Sequence, residues 1–389
     1  MIGLPVGLLG VAWPAMRAEL GLPLDEMGLL LFTTTAGYIV SSFFIARLIN
    51  RFGIGTLLVF SSLLSMTAYY SYCFAPTWPI IVAIGTFAGF GSGVIDAGLN
   101  TYLAAKYKES EMQWLHAFFG LGASFSPLIM TVSLARFHSW RPGYFFVGIL
   151  ITMLAVIFTL TRSAWKTAQT INYSPEGHIE DTPNMMDYKT SIWGSLRHLN
   201  VWTGIFLFMI FTGAEFTLGN WTYSVFTEGR GISPQIAGIW ASGFWVTFTI
   251  GRVIAGLFAH RIRLGTLLIA AMSLSLAGSV LFWLNPFPLA GVYGVFIIGF
   301  GMAPIFPGLV SGTRQRVGIR HAANAIGFQM SSANLGGWIL PALAGFLAQR
   351  ISLESIPPLL TASLLGLIIL YIFSLRKYGS TKGTSGVGG

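Results

Sequence analysis

Residues 79–105 read PIIVAIGTFAGFGSGVIDAGLNTYLAA, an apolar run long enough to cross a bilayer that carries one carboxylate, Asp96, past its middle. Gly85, Gly89 and Gly93 recur at four-residue spacing, so a helix through this stretch presents one smooth face on which a second helix can approach closely. Asp96 and Asn100 follow one and two turns after Gly93, on or beside that face. An ionised carboxylate turned to hydrocarbon would cost about 3 kcal/mol on insertion scales, so Asp96 must face protein or a water-filled cavity. There it either locks helices by a hydrogen bond or serves an ion or proton pathway, and the pathway is the stronger expectation.

The composition places the rest of the chain in the same solvent. Of 389 residues, 54% are hydrophobic and 9% charged, and the mean hydropathy is +0.71, too little polar surface for a water-solvated globule. The formal charge of +9 does not indicate nucleic acid, because the basic residues sit in short loops with no basic helix or interleaved aromatic patch. The single cysteine, Cys73, excludes an intramolecular disulfide and a thiolate metal cage. Apolar spans can be drawn near 2–16 (short), 27–46, 56–75, 79–105, 112–135 and 143–161, and again near 199–225, 235–259, 264–284, 289–311, 322–348 and 356–375. The expected organisation is a six-helix bundle over 1–162, a cytoplasmic linker over 163–198, a second six-helix bundle over 199–376 and a Gly/Ser-rich disordered tail over 377–389.

The two sets are copies of one unit. ARLINRFGIGTLL, beginning at Ala46, aligns with GLFAHRIRLGTLL, beginning at Gly256, and the same register superposes Gly89-Phe90-Gly91 on Gly299-Phe300-Gly301 and Gly98-Leu99 on Gly308-Leu309. That register leaves the first span short at its N-terminal end relative to the seventh, so a truncated first helix is expected. Lys and Arg concentrate in the loops near 47–51, 106–108, 162–197, 261–263, 314–320 and 376–382, against Arg17, Arg136, Arg141, Arg230 and Arg350 on the other side. The positive-inside rule therefore predicts both termini in the cytoplasm of a plasma (inner) membrane protein.

Besides Asp96, the spans contain Glu215, Arg252 and the titratable His116. Glu215 lies in FTGAEFTLGNWTYSVF, where Gly219, Asn220 and neighbouring threonines would let the helix open toward a cavity. It is a candidate for proton exchange or for binding a hydroxyl-rich or cationic ligand, the alternative being a neutral interhelical acid. Arg252, about two turns from the loop, reads as a gate or strut. His116 shares a face with Gln113, Gly120, Ala123 and Pro127, and is either a structural histidine or a proton relay. Asn324, Gln329, Ser332 and Gly336 form a polar stripe with Asn334 and Trp338 alongside, suited to a sugar's hydroxyls and ring face or to polar packing between helices. No nucleotide-binding GxxxxGK[ST] loop, HExxH motif or nucleophile elbow occurs, so neither an enzyme nor a resident cofactor or metal is expected.

A duplicated six-helix chain with ARLINRFG between spans two and three resembles the major facilitator superfamily. In that family's loop pattern, Arg51 and Gly53 match while Ala46 and Asn50 depart from it, and the second copy keeps Gly256, His260 and Arg261. Within the superfamily, GFGSGVIDAGLN and TGAEFTLGNW are similar to fourth- and seventh-helix segments of the fucose permease group of sugar:proton symporters. Phe119 stands where that group has a polar fifth-helix residue.

The resemblance implies an all-α protein of twelve transmembrane helices in two pseudo-symmetric bundles. It also implies alternating access around a midplane cavity, with proton coupling at Asp96, to which Glu215 and His116 are added from their own positions. The residues expected to meet a small polar substrate are Asn100, Glu215, Asn220, Trp221, Gln329 and Asn334, with Arg51, Arg252 and Arg261 in gating or structural roles. Expected partners are that substrate, protons or sodium, and membrane lipids, for a chain acting as a monomer. The alternatives are a proton-coupled exporter of lipophilic or cationic compounds, a lipid flippase, and a non-transporting receptor.

Overall fold

The computed structural model describes residues 3–106, 109–165, 191–258 and 261–383. Among the described residues there is no strand. The first copy runs through α1 (Leu8–Leu20), α2 (Met27–Phe52), α3 (Ile54–Phe74), α4 (Trp78–Lys106), α5 (Glu109–Phe137) and α6 (Arg141–Leu160). After a short α7 (Ile192–Leu196), which lies within the expected linker, the second copy runs through α8 (Leu199–Ser224), α9 (Pro234–Phe258) and α10 (Leu264–Leu284). The tenth span is α11 (Ala290–Met302) with α12 (Ile305–Ser311); α13 (Thr313–Val317), α14 (Ile319–Arg350) and α15 (Ile356–Gly383) complete the chain.

Ten of these segments are long and apolar enough to cross a membrane. The short α1 and the more polar α14 bring the spans to twelve. With 13 residues, α1 is half the length of the 26-residue α2.

Glycine sets the tight connections. Gly21 closes α1 at φ 65°, its N–H bonded to the Arg17 carbonyl, and Gly53, at φ 76°, is the whole link between α2 and α3. Proline interrupts the tenth span. The apolar run 289–311, expected as one helix, divides at Ala303-Pro304 because Pro304 has no N–H to continue the ladder. The tail expected to be disordered from 377 instead continues α15 to Gly383, since extending a long helix costs far less than starting one. Residues 384–389 lie outside the described residues.

The duplication is visible in contacts. α3 and α10 have the same length and begin and end 210 residues apart. A methyl group on Gly91 would meet Ser65 and the Ser61 carbonyl, and one on Gly301 would meet Ser275 and the Ala271 carbonyl, which are the same neighbours at that offset. Gly98 against Ile54 and Gly308 against Leu264 repeat the correspondence.

The glycine face of α4 is buried against α2. A Cβ on Gly85 would strike Leu30 and Thr33, one on Gly89 would lie 1.9 Å from the Thr34 carbonyl oxygen, and one on Gly93 would strike Ser41 and the Tyr38 backbone. Gly37 of α2 returns the contact against Thr86 and Phe90. Such close approach lets backbones meet where hydrophobic burial supplies little, lipid being as apolar as the side chains.

The chain divides into two compact units. The first joins the described part of Met1–Gly177 with Gly219–Thr249 and Ala342–Leu353; the second joins that of His178–Leu218 with Ile250–Pro341 and Glu354–Gly389. In the first unit, α1, α5 and the start of α2 are packed against the end segments of α8, α9 and α14. Gly10 abuts Gly219 and Asn220, Ser242 donates to the Ser124 carbonyl, Gly238 abuts Thr131, and Gly28 abuts Ala342. Arg17 pairs with Glu228 at 2.6 Å, in the π-helical turn Val225–Gly229 that ends the seventh span. On this face the two copies are closed against each other.

Candidate functional site

The packing of α4 on α2 decides what Asp96 touches. One turn beyond Gly93, Tyr38 of α2 donates its hydroxyl to Asp96 Oδ2. Asn100, one turn further along α4, donates its amide to Asp96 Oδ1 at 2.9 Å and to the Asp96 carbonyl oxygen at 2.9 Å. Both carboxylate oxygens therefore accept hydrogen bonds in a half-buried setting. Asn100 is drawn into this cluster as a ligand of Asp96. Sequence reading identified Asp96 and Asn100 and missed Tyr38; the signal available was the single tyrosine in the middle of α2.

Glu215 and Arg252, read separately in the sequence, lie within electrostatic reach of each other. Glu215 is 6% exposed on α8, and the Arg252 guanidinium of α9 acts on its carboxylate through charge. Along the same helix α8 meets α14 closely. Gly336 abuts the Met209 backbone, Gly213 abuts Leu340, and Ser332 donates to the Ile205 carbonyl at 2.9 Å.

The other expected ligand residues are enclosed in this conformation. Gln329 is fully buried, its carbonyl oxygen accepting from Thr313 at 2.9 Å and its amide nitrogen set against Gly204. Asn334 donates to the Met330 carbonyl of its own helix at 2.9 Å. Asn220 and Trp221, 3% and 1% exposed, lie in the closed face of the first unit, Asn220 against Gly10 and Trp221 against Gly345. A polar stripe marks a protein-facing side equally well whether that side meets a helix or a cavity. Arg51 and Arg261 stand at exposed helix ends over the rings of Phe52 and Phe258, at 5.4 and 5.9 Å. His116 is on α5, but its side chain lies outside the described residues.

A second titratable cluster flanks α14. The rings of His198 and His321 have centroids 4.1 Å apart, and Ser195 Oγ bridges His321 Nδ1 at 3.1 Å and the Asn324 amide at 2.9 Å. Partial burial, then His198 and Arg320, hold His321 below the usual histidine range. The unfolded chain thus binds this proton more readily than the folded one. The contact is intact above the ordinary value of 6.5 and weakens as pH falls through the lower folded value. Thermal unfolding followed from about pH 7.5 to about pH 5 should show a loss of stability that His321→Asn reduces. An unchanged loss in that variant would assign it to other groups.

The Major Facilitator Superfamily model matches residues 1–227 and, as a second copy, 213–388. The chain belongs to this superfamily. Its curated relatives include the Bacillus subtilis glucose/mannose transporter GlcP, 21% identical over 329 residues covering 83% of this chain and 79% of the relative. The human sodium-dependent glucose transporter 1 is 25% identical over 385 residues, covering 89% of this chain and 71% of the relative.

Among solved structures, the nucleoside transporter NupG superposes with a TM-score of 0.74 at 14% identity, covering 96% of this chain and 95% of that one. The E. coli fucose:proton symporter FucP superposes with a TM-score of 0.61 at 14% identity, covering 96% and 97%. These likenesses show the major facilitator fold, and the family match places the chain in a superfamily of transporters rather than enzymes. In this fold α4 and α8 are the fourth and seventh spans, so Asp96 and Glu215 sit on one span from each copy.

Proposed function

We propose that this major facilitator protein is a secondary active transporter that moves a sugar or sugar-like solute by alternating access, coupled to protons through Asp96. The observation that carries the reading is the asymmetry of the repeat. At the 210-residue offset the counterpart of Asp96 is Phe306, which packs its ring against Phe208 and Phe211, and the counterpart of Asn100 is Val310. The second copy builds the equivalent span without an acid, so the fold does not require one at Asp96. A carboxylate kept in a membrane span without a folding need belongs to transport.

Sugar as the substrate class is supported by the glucose and glucose/mannose transporters among the relatives and by the fucose symporter among the structures. Glu215, with the charge of Arg252 acting on it, is the proposed partner for sugar hydroxyls, and Asn220, Trp221, Gln329 and Asn334 join it only when the enclosing contacts open. Arg51, Arg252 and Arg261 are assigned to gating. With both termini cytoplasmic, the closed face of the first unit is the outer one. Sodium is the competing coupling ion, favoured by the human relative's dependence on it.

The test is ligand-dependent thermal stability of the detergent-purified protein against hexoses, nucleosides, lipids and lipophilic cations. A ligand at 100 times its dissociation constant raises stability by about 2.7 kcal/mol. The expected result is a shift with one class of hexose that Glu215→Gln removes. Shifts confined to lipids or lipophilic cations would replace this reading with an exporter or flippase.

A further inference from the structure

Tyr38 stands between two oxygens. Its hydroxyl donates to Asp96 Oδ2, and one turn on along α2 lies Ser42, whose Oγ is buried, is near enough to interact with the Tyr38 hydroxyl and holds no other hydrogen bond. A buried hydroxyl with no other group to bond is uncommon, and it calls for an explanation. The repeat again offers a comparison: the counterparts of Tyr38 and Ser42 are Phe248 and Arg252, so neither hydroxyl is demanded by the architecture.

We propose that Tyr38 is a positioning residue whose hydroxyl alternates between Asp96 and Ser42 as Asp96 loses and gains its proton. With Asp96 ionised, Tyr38 donates to Oδ2, as observed. When Asp96 takes a proton on Oδ2, the carboxylic acid becomes the donor and Tyr38 the acceptor, and the phenolic hydrogen turns to Ser42 Oγ. No covalent bond to oxygen other than that of the arriving proton changes; the tyrosine only rotates its hydroxyl. Each protonation state of Asp96 then has a complete set of partners, which a carboxylate beside a phenylalanine would lack. The device couples the charge on α4 to the α2 contact at Tyr38 and Ser42, where the helices approach through Gly93 and Ser41.

The groups able to interfere are few among the described residues. Of the helices packed on α4, α2 brings Tyr38 to Asp96, and its charged Arg47 and Arg51 lie beyond Ser42 toward the exposed end. α3 turns Tyr69 to Ser92, one turn before Asp96. On α5, His116 lies outside the described side chains.

This inference rests on the reading of Asp96 as the proton site, and its test separates the two. The protonated Asp96 carboxyl is followed in the purified protein by infrared titration, its C=O band assigned as the one lost in Asp96→Asn. Tyr38→Phe removes a donor to the ionised form and should move the midpoint up by about one pH unit. Ser42→Ala removes the acceptor needed by the protonated form and should move it down, while Ser42→Thr, which keeps a hydroxyl, should leave it in place.

Midpoints unchanged in Tyr38→Phe and Ser42→Ala, or shifts of the same sign in both, overturn the switch, as does an Asp96 that does not titrate. If the Tyr38 variant does not fold, the opposed Ser42→Ala and Ser42→Thr results still decide. A switch that titrates as stated beside hexose uptake that ignores a proton gradient would sink the coupling reading and leave this one standing.

Discussion

Asp96→Asn should abolish gradient-driven accumulation of substrate while leaving counterflow intact. Asparagine is close in shape to protonated aspartic acid and still offers an oxygen to the Tyr38 hydroxyl, so the α2–α4 contact survives. What it cannot do is lose a proton. A transporter locked in the neutral form can exchange substrate across the membrane, because reorientation does not wait for a charge to be discharged, but it cannot draw on the proton gradient.

In proteoliposomes with an imposed inward proton gradient, the variant's internal hexose should rise only to the external concentration. Wild type should exceed it. Preloaded variant vesicles should exchange label at a rate within a few-fold of wild type. Accumulation in the variant equal to wild type would remove Asp96 from the coupling mechanism.

Gly89→Val should cost the protein its fold. The added Cβ would be placed 1.9 Å from the Thr34 carbonyl oxygen, with the Thr34 Cα and carbonyl carbon also under 3 Å. All three are backbone atoms that cannot rotate away, so α4 must leave α2. The loss is about 3 kcal/mol or more, from the packing of a whole helix pair and from the Tyr38–Asp96 contact it positions. Monodisperse yield on size exclusion and the melting temperature in detergent should both collapse. Gly366→Ala is the control, since nothing lies within 4 Å of a Cβ there. A Gly89→Val protein that melts with wild type would mean that the close approach of α2 and α4 does not hold the first copy together.

Much of this was legible in the chain because it depends on spacing. Glycines at every fourth residue specify a helix face without knowing its partner, and a 210-residue self-match specifies the duplication, down to Gly91 and Gly301 meeting Ser65 and Ser275. Spacing on one helix cannot say which residue of another stands opposite. For that reason Tyr38 was missed beside Asp96, and Glu215 and Arg252 were read as unrelated. Nor does it distinguish a polar side chain that lines a cavity from one that joins helices. Gln329 on Thr313, and Asn220 and Trp221 in a closed face, are the joined kind in this conformation. The break at Ala303-Pro304 was signalled by its proline, but the apolar run continued through it and was read as one span.

The central claim is that protons, through Asp96, drive sugar transport. It is tested most directly by hexose accumulation in wild-type proteoliposomes under an inward proton gradient without sodium, and in parallel under an inward sodium gradient at uniform pH. Accumulation above equilibrium with the proton gradient alone is the predicted result. Accumulation with sodium alone, or equal filling under both conditions, would contradict it.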